Sequence, residues 1–151
     1  MHNFHSSLAK GKAGEALFLE NFPTLKNLNG RESDFIAPDG TLWELKTDSY
    51  NMDKTANFFF ERYGNLSKLS PGGPWQALKH GSTQFAYMFT QNSKVFIFKT
   101  ENLVFHLERI LPDFEAINIP NKGYITVGYK IPRELLAHIY EEVTLEHTGK
   151  K

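Results

Sequence analysis

The chain has 151 residues, 17 of them basic and 17 acidic, with 40% hydrophobic and 14% aromatic residues and no cysteine. That is enough for one domain with a real core and too little for two ordinary ones, and it excludes a disordered chain, a disulfide framework and a thiolate metal site. A formal net charge of zero argues against passive coating of nucleic acid, because phosphate contacts supply most non-specific affinity. No apolar run approaches the ~18 residues of a membrane span, and Met-His-Asn-Phe-His-Ser-Ser lacks a signal-peptide pattern. The expectation is a soluble, cytoplasmic protein with no membrane partner.

In chain order, Ser7 caps a predicted helix over 7–21, which Asn21-Phe22-Pro23 stops. Leu17 and Phe18 form its core stripe. Glu15 lies near the N-terminal side of that stripe, as a site carboxylate or a solvated helix residue. Lys10 and Lys12 are candidates for phosphate contact or for a solvated face. A polar connector, 24–31, leads to a predicted hairpin over 32–47, whose strands flank Pro38-Asp39-Gly40. Pro presets φ for the first turn position, Asp suits the second, and Gly takes the left-handed third position of a three-residue loop. The loop pairs Ala37 with Thr41, which puts Ile36 opposite Leu42 and Asp34 opposite Glu44. Directly opposed residues have Cβ atoms about 5 Å apart. Two carboxylates held that close repel unless a cation lies between them, so the register predicts a metal site. Lys46, two residues after Glu44, shares its face, while Trp43 and Leu45 point the other way. Lys46 also falls opposite Glu32, and an exposed ion pair there would contribute only about 0–1 kcal/mol.

Residues 47–55 read as a polar loop and 56–63 as a third, central strand with three consecutive Phe. Glu61 and Arg62 at its end are candidate site residues or a rim ion pair. A flexible loop, 64–74, precedes a helical stretch over 75–81 opened by Pro74. Strands over 82–89 and 94–99 suggest a second hairpin, and Lys79, Gln84 and Tyr87 are candidate DNA-gripping residues. A helix over 101–111 follows, then strands over 117–119 and 124–131, and a final helix from Pro132 to about Glu142. His106, His138 and His147 show no metal-ligand spacing. The expected organisation is one domain over 1–146 with a disordered tail over 147–151.

Asp34, Glu44 and Lys46, on a hairpin preceded by a helical Glu15, resemble the signature of the PD-(D/E)XK nucleases, the restriction-endonuclease-like superfamily. The resemblance covers the first third of the chain, and Ser33 stands where the motif name has Pro. It implies an α/β fold with a restriction-endonuclease-like core, a mixed β-sheet flanked by helices on both faces. It further implies a DNA endonuclease that hydrolyses phosphodiester bonds with Mg²⁺, for which Mn²⁺ can substitute. On that reading Asp34, Glu44 and the Leu45 carbonyl bind the metal, with Glu15 completing the site or holding a second ion. Lys46 orients the attacking water or stabilises the phosphate, and Glu61 supports the metal ligands from behind or contacts substrate. A neutral chain fits, since bound cations neutralise the acidic cluster. The small size and the ten-residue Asp-to-Glu spacing are also similar to Holliday-junction resolvases of phages and archaea, which act in DNA recombination and repair as homodimers. The alternatives are a nicking or restriction-type endonuclease of phage or mobile-element origin, and a catalytically silent DNA-binding member of the fold.

Overall fold

The computed structural model describes residues 4–29 and 32–147, with backbone alone for residues 4–10. Its helices are α1 (Phe4–Asn21), α2 (Gly73–Lys79) and α3 (Thr100–Ile110). The first sheet has six strands in the order β1 (Lys26–Asn27), β2 (Phe35–Ile36), β3 (Leu42–Asp48), β6 (Ser82–Phe89), β7 (Lys94–Lys99) and β10 (Tyr140–Thr144). Among the described residues only β3 and β6 run parallel. A second, antiparallel sheet has the order β5 (Ser70–Pro71), β4 (Asn57–Asn65), β9 (Tyr124–Pro132) and β8 (Ile117–Asn121).

The alternation of side chains along β6 divides the core in two. Ala86 and Met88 pack with Leu17, Phe18, Phe35 and Val95 on the α1 side. Phe85, Tyr87 and Phe89 pack with Phe58, Phe60, Phe96, Phe98 and the α3 residues Leu103 and Leu107 on the other. Helices therefore lie on both faces of the first sheet, as expected. In the parallel pairing Glu44 is level with Phe85, Lys46 with Tyr87 and Asp48 with Phe89, so these three polar residues share the face turned toward the second sheet. Trp43 faces α1, where its ring lies 6.1 Å from Phe18 and 5.7 Å from Phe22.

Phe58 joins the sheets. Its ring centroid is 4.8 Å from Tyr87, 5.1 Å from Phe96 and 5.7 Å from Phe98, distances at which aromatic pairs add to simple area burial. The Tyr87 hydroxyl adds a polar tie, donating to Asp48 on β3 and accepting the Phe59 backbone N–H of β4 at 2.9 Å. Burial, reinforced by the Asp48 charge, pushes this phenol above its ordinary range.

Three expectations need correction. Strand 56–63 is not central in a single sheet beside the hairpin; it is β4, an inner strand of a second sheet, and only Phe58 and Phe60 of its three Phe are buried. The final helix over 132–142 is absent. A 3-10 turn over Arg133–Leu136 leads into β10, which pairs with β7 and places Tyr140 against Phe96 at 4.9 Å. Pro132 suits a helix start, but pairing with the open edge of β7 outweighs local propensity. The loop over 64–74 is partly ordered as β5, paired to β4. The tail expectation lies outside the described residues at 148–151, while His147 Nδ1 sits 3.6 Å from Glu20.

Tyr87→Phe would leave an Asp48 oxygen and the Phe59 N–H without their partner. A loss of about 1–3 kcal/mol in urea denaturation is expected; an unchanged midpoint would show that the sheets do not depend on this tie.

Candidate metal centre on the hairpin

The turn chemistry sets the site. Ala37 N–H donates to the Thr41 carbonyl at 2.8 Å, Gly40 N–H donates to the Ala37 carbonyl at 2.9 Å, and Gly40 takes φ +90°. That is the left-handed conformation glycine accepts without strain. Ile36 then pairs with Leu42 and Phe35 with Trp43, where the pairing ends, and Asp34 and Glu44 flank that last pair, near enough for the Asp34 charge to act on the Glu44 carboxyl. Asp34 is anchored by its backbone, its N–H donating to Trp43 O at 3.1 Å and its carbonyl accepting Leu28 N–H at 2.9 Å. Ser33, before it, is buried and bonded through Oγ to Ser82 Oγ at 2.5 Å.

Because β2 begins at Phe35, β3 runs past it with an unpaired edge at Leu45. Asp34 Oδ2 fills part of that gap, accepting the Leu45 N–H at 2.8 Å. The N–H and C=O of one strand residue point to the same edge, so the Leu45 carbonyl lies on the Asp34 side.

The electrostatics are strained. Glu44 Oε1 is buried and has no hydrogen-bond partner among the described residues. Burial first, and the neighbouring Asp34 charge second, push the Glu44 carboxyl up to about 8. Burial also raises Asp34, opposed by the Leu45 N–H. At neutral pH the pair therefore holds a proton on Glu44 unless another cation replaces it. Lys46, Glu61, Gln76 and Gly73 line the adjoining cleft of about 150 Å³ with Glu44. Gly73 is required there, with φ +45° and an added Cβ only 2.8 Å from the Glu61 carbonyl oxygen.

Among the described residues no three His, Cys, Asp or Glu side chains converge as a ready-made metal cage. The available donors are two carboxylates and the Leu45 carbonyl. This set suits Mg²⁺, which keeps several waters and often takes only one or two protein carboxylates plus substrate phosphate. It is too sparse for Ca²⁺, which takes 6–8 oxygens.

The other sequence-derived candidates are dispersed. Glu15 Oε1 accepts from Asn27 Nδ2 at 3.2 Å. Asn27 pairs with Phe35, so this contact lies on the α1 face, opposite Glu44. Gly11 and Gly14 seat α1 there, against Thr47. Lys12 is exposed on α1, and the Lys10 side chain lies outside the described residues. The Arg62 guanidinium stacks on Tyr63 and Trp75, 4.4 and 4.7 Å from the ring centroids, and forms no ion pair with Glu61 among the described residues. Lys79 is exposed at the end of α2. Gln84 alternates with Phe85 and so faces the α1 side. Tyr87 is buried in the inter-sheet tie, not exposed to a ligand. No ion pair joins Lys46 to Glu32 among the described residues. Gln76 was not legible beforehand, because it reaches the cleft only through the packing of α2 beside β4.

A proton-linkage test follows. The folded value of about 8 exceeds the ordinary 4.5 of a glutamate, so the native state binds more protons between them and stability falls as pH rises through that window. Glu44→Gln should remove this loss, melting a few degrees above wild type at pH 8 and close to it at pH 4.5. Mg²⁺ at pH 8 should raise the wild-type melting temperature and leave the variant unchanged. Parallel melting profiles across pH would contradict the buried-carboxyl assignment.

No protein-family model matches this chain, and no curated protein matches it.

Proposed function

We propose that this protein is a Mg²⁺-dependent DNA endonuclease. The observation that carries the reading is the buried Glu44 Oε1, without a hydrogen-bond partner among the described residues, on a carboxyl that feels the Asp34 charge and shares an open cleft with Lys46. A carboxyl left in that state lacks a partner that a divalent cation would supply, and the resemblance of Asp34, Glu44 and Lys46 to the PD-(D/E)XK signature points the same way. Asp34, Glu44 and the Leu45 carbonyl would hold the ion. When bound, Mg²⁺ supplies Lewis acidity toward phosphate and makes a coordinated water more acidic.

The chain's own groups divide the remaining work. The Leu45 N–H holds Asp34 in one orientation, so the donor set is fixed before substrate arrives. Lys46 supplies positive charge on the Glu44 face, aimed at a non-bridging phosphate oxygen as negative charge builds there. Glu61 and Gln76, on the far wall of the cleft, are placed to accept from or donate to the attacking water or the substrate backbone. Glu15 has no part in this donor set. The neutral chain predicts modest, strongly salt-dependent affinity for DNA.

The test is a cleavage panel of duplex, single-strand, flap and four-way-junction DNA with Mg²⁺, Mn²⁺ or chelator. Scission should require the metal. It should fall by about 10²-fold or more in Asp34→Ala and Lys46→Ala while DNA binding persists. Faster cutting of the junction than of matched duplex would assign a resolvase, acting as a dimer to cut two strands symmetrically. Binding without cleavage under every condition would instead identify a silent DNA-binding module.

A further inference from the structure

The outer face of the second sheet forms a groove of about 470 Å³ that shares Phe59 with the Glu44–Lys46 cleft. The register explains its composition. Phe58 and Phe60 point into the core, so Phe59 and Glu61 point outward. Lys130 pairs with Phe59, Gly128 with both Glu61 and Ile117, and Ile119 follows two residues on, so all lie on that outer face. Gly128 matters sterically: a Cβ there would sit 2.2 Å from Phe59 Cζ, so the bare backbone lets the ring lie across β9.

The opposite wall comes from the segment after β3. Asp48 Oδ1 accepts the Tyr50 N–H at 2.9 Å while Oδ2 accepts from Tyr87. Both carboxylate oxygens are thus engaged, and the Tyr50 backbone is held at the mouth of the groove. Tyr50 is 74% exposed, so its ring is free to meet a ligand at the mouth of the groove. Lys54 and Lys130 are exposed along the same groove and enter no ion pair among the described residues.

We propose that this groove binds an unpaired nucleotide of the nucleic-acid strand that runs from the hairpin cleft, which rests on the nuclease reading above. Three features select that occupant. The groove adjoins the hairpin cleft, since Phe59 lines both. It offers two aromatic rings on which a base of any sequence can stack, Tyr50 and Phe59. It carries two lysines suited to flanking phosphates, and the one carboxylate among its described lining residues is the engaged Asp48. Its volume falls within the ~300–1,000 Å³ of small-ligand sites, too confined for duplex DNA and adequate for one extruded nucleotide. The substrate class is then DNA with a single-stranded segment beside the cut, such as a flap, an overhang or an opened junction arm.

The test measures binding without chemistry. Fluorescence anisotropy in chelator compares a blunt duplex with duplexes carrying 5′ or 3′ single-stranded extensions, for wild type, Tyr50→Ala and Lys130→Glu. Tyr50 and Lys130 are exposed, so both variants should fold, with circular dichroism as the check. Wild type should prefer one of the extended duplexes. Tyr50→Ala should weaken that complex about tenfold, the loss of one stacked base. Lys130→Glu should weaken it and flatten its salt dependence. Equal affinity of wild type for blunt and extended DNA, or variants that bind the extension as wild type does, overturns the proposal. The result is independent of catalysis. Lost extension binding in the variants of a protein that cuts nothing would sustain the groove and sink the nuclease reading, whereas metal-dependent cleavage with unaltered extension binding would do the reverse.

Discussion

A buried carboxyl, Glu44, whose ionisation is opposed first by its dry setting and then by the neighbouring Asp34 charge, is the constraint around which the rest of this molecule is arranged. Water would normally solvate Glu44. Here one of its oxygens is buried with no partner among the described residues, and the charge of Asp34 adds to the cost of ionising it. A core that held such a pair only for stability would be better served by apolar residues of similar volume. The tight turn, the Ser33–Ser82 bond and the Leu45 N–H all fix the pair in place. That investment of structure in an unfavourable arrangement is typical of sites where strain serves function.

The two-sheet architecture supplies what the hairpin lacks. A short β2 leaves the edge of β3 open just past Phe35, so Leu45 presents its backbone to Asp34 and not to a neighbouring strand. The second sheet then closes over the polar face of β3. Phe58 and Phe60 lock it down through the aromatic cluster, and Tyr87 bridges Asp48 to the β4 backbone. The same alternation that buries Phe58 and Phe60 turns Phe59 and Glu61 outward, toward the cleft. The apolar core and the candidate site are thus opposite consequences of one strand's period of two.

The hairpin was legible in the sequence because turn chemistry is local. Pro38-Asp39-Gly40 dictates the loop, and the loop dictates the register as far as Phe35 and Trp43, the pair that Asp34 and Glu44 flank. The helices over 75–81 and 101–111 were likewise marked by local signals and are found within two residues of those bounds. What the sequence could not reveal depends on distant partners. Whether 56–63 joins the first sheet or makes a second is decided by pairing with β9, some seventy residues on. The segment after Pro132 becomes a strand because β7 has a free edge, which no local pattern announces. Glu15 sits on the right helix, yet that helix packs on the Trp43 and Thr47 face, and two glycines set its seat there. Gln76 enters the cleft only because Gly73 lets the chain pass tightly over Glu61.

The most direct measurement is a crystal of the protein soaked in Mn²⁺, with anomalous scattering used to find the ion. One strong peak bridging the Asp34 and Glu44 carboxylates, within ligand distance of the Leu45 carbonyl, is the result this account predicts. Density showing no ion there, with the Glu44 carboxyl hydrogen-bonded to another protein group, would contradict it.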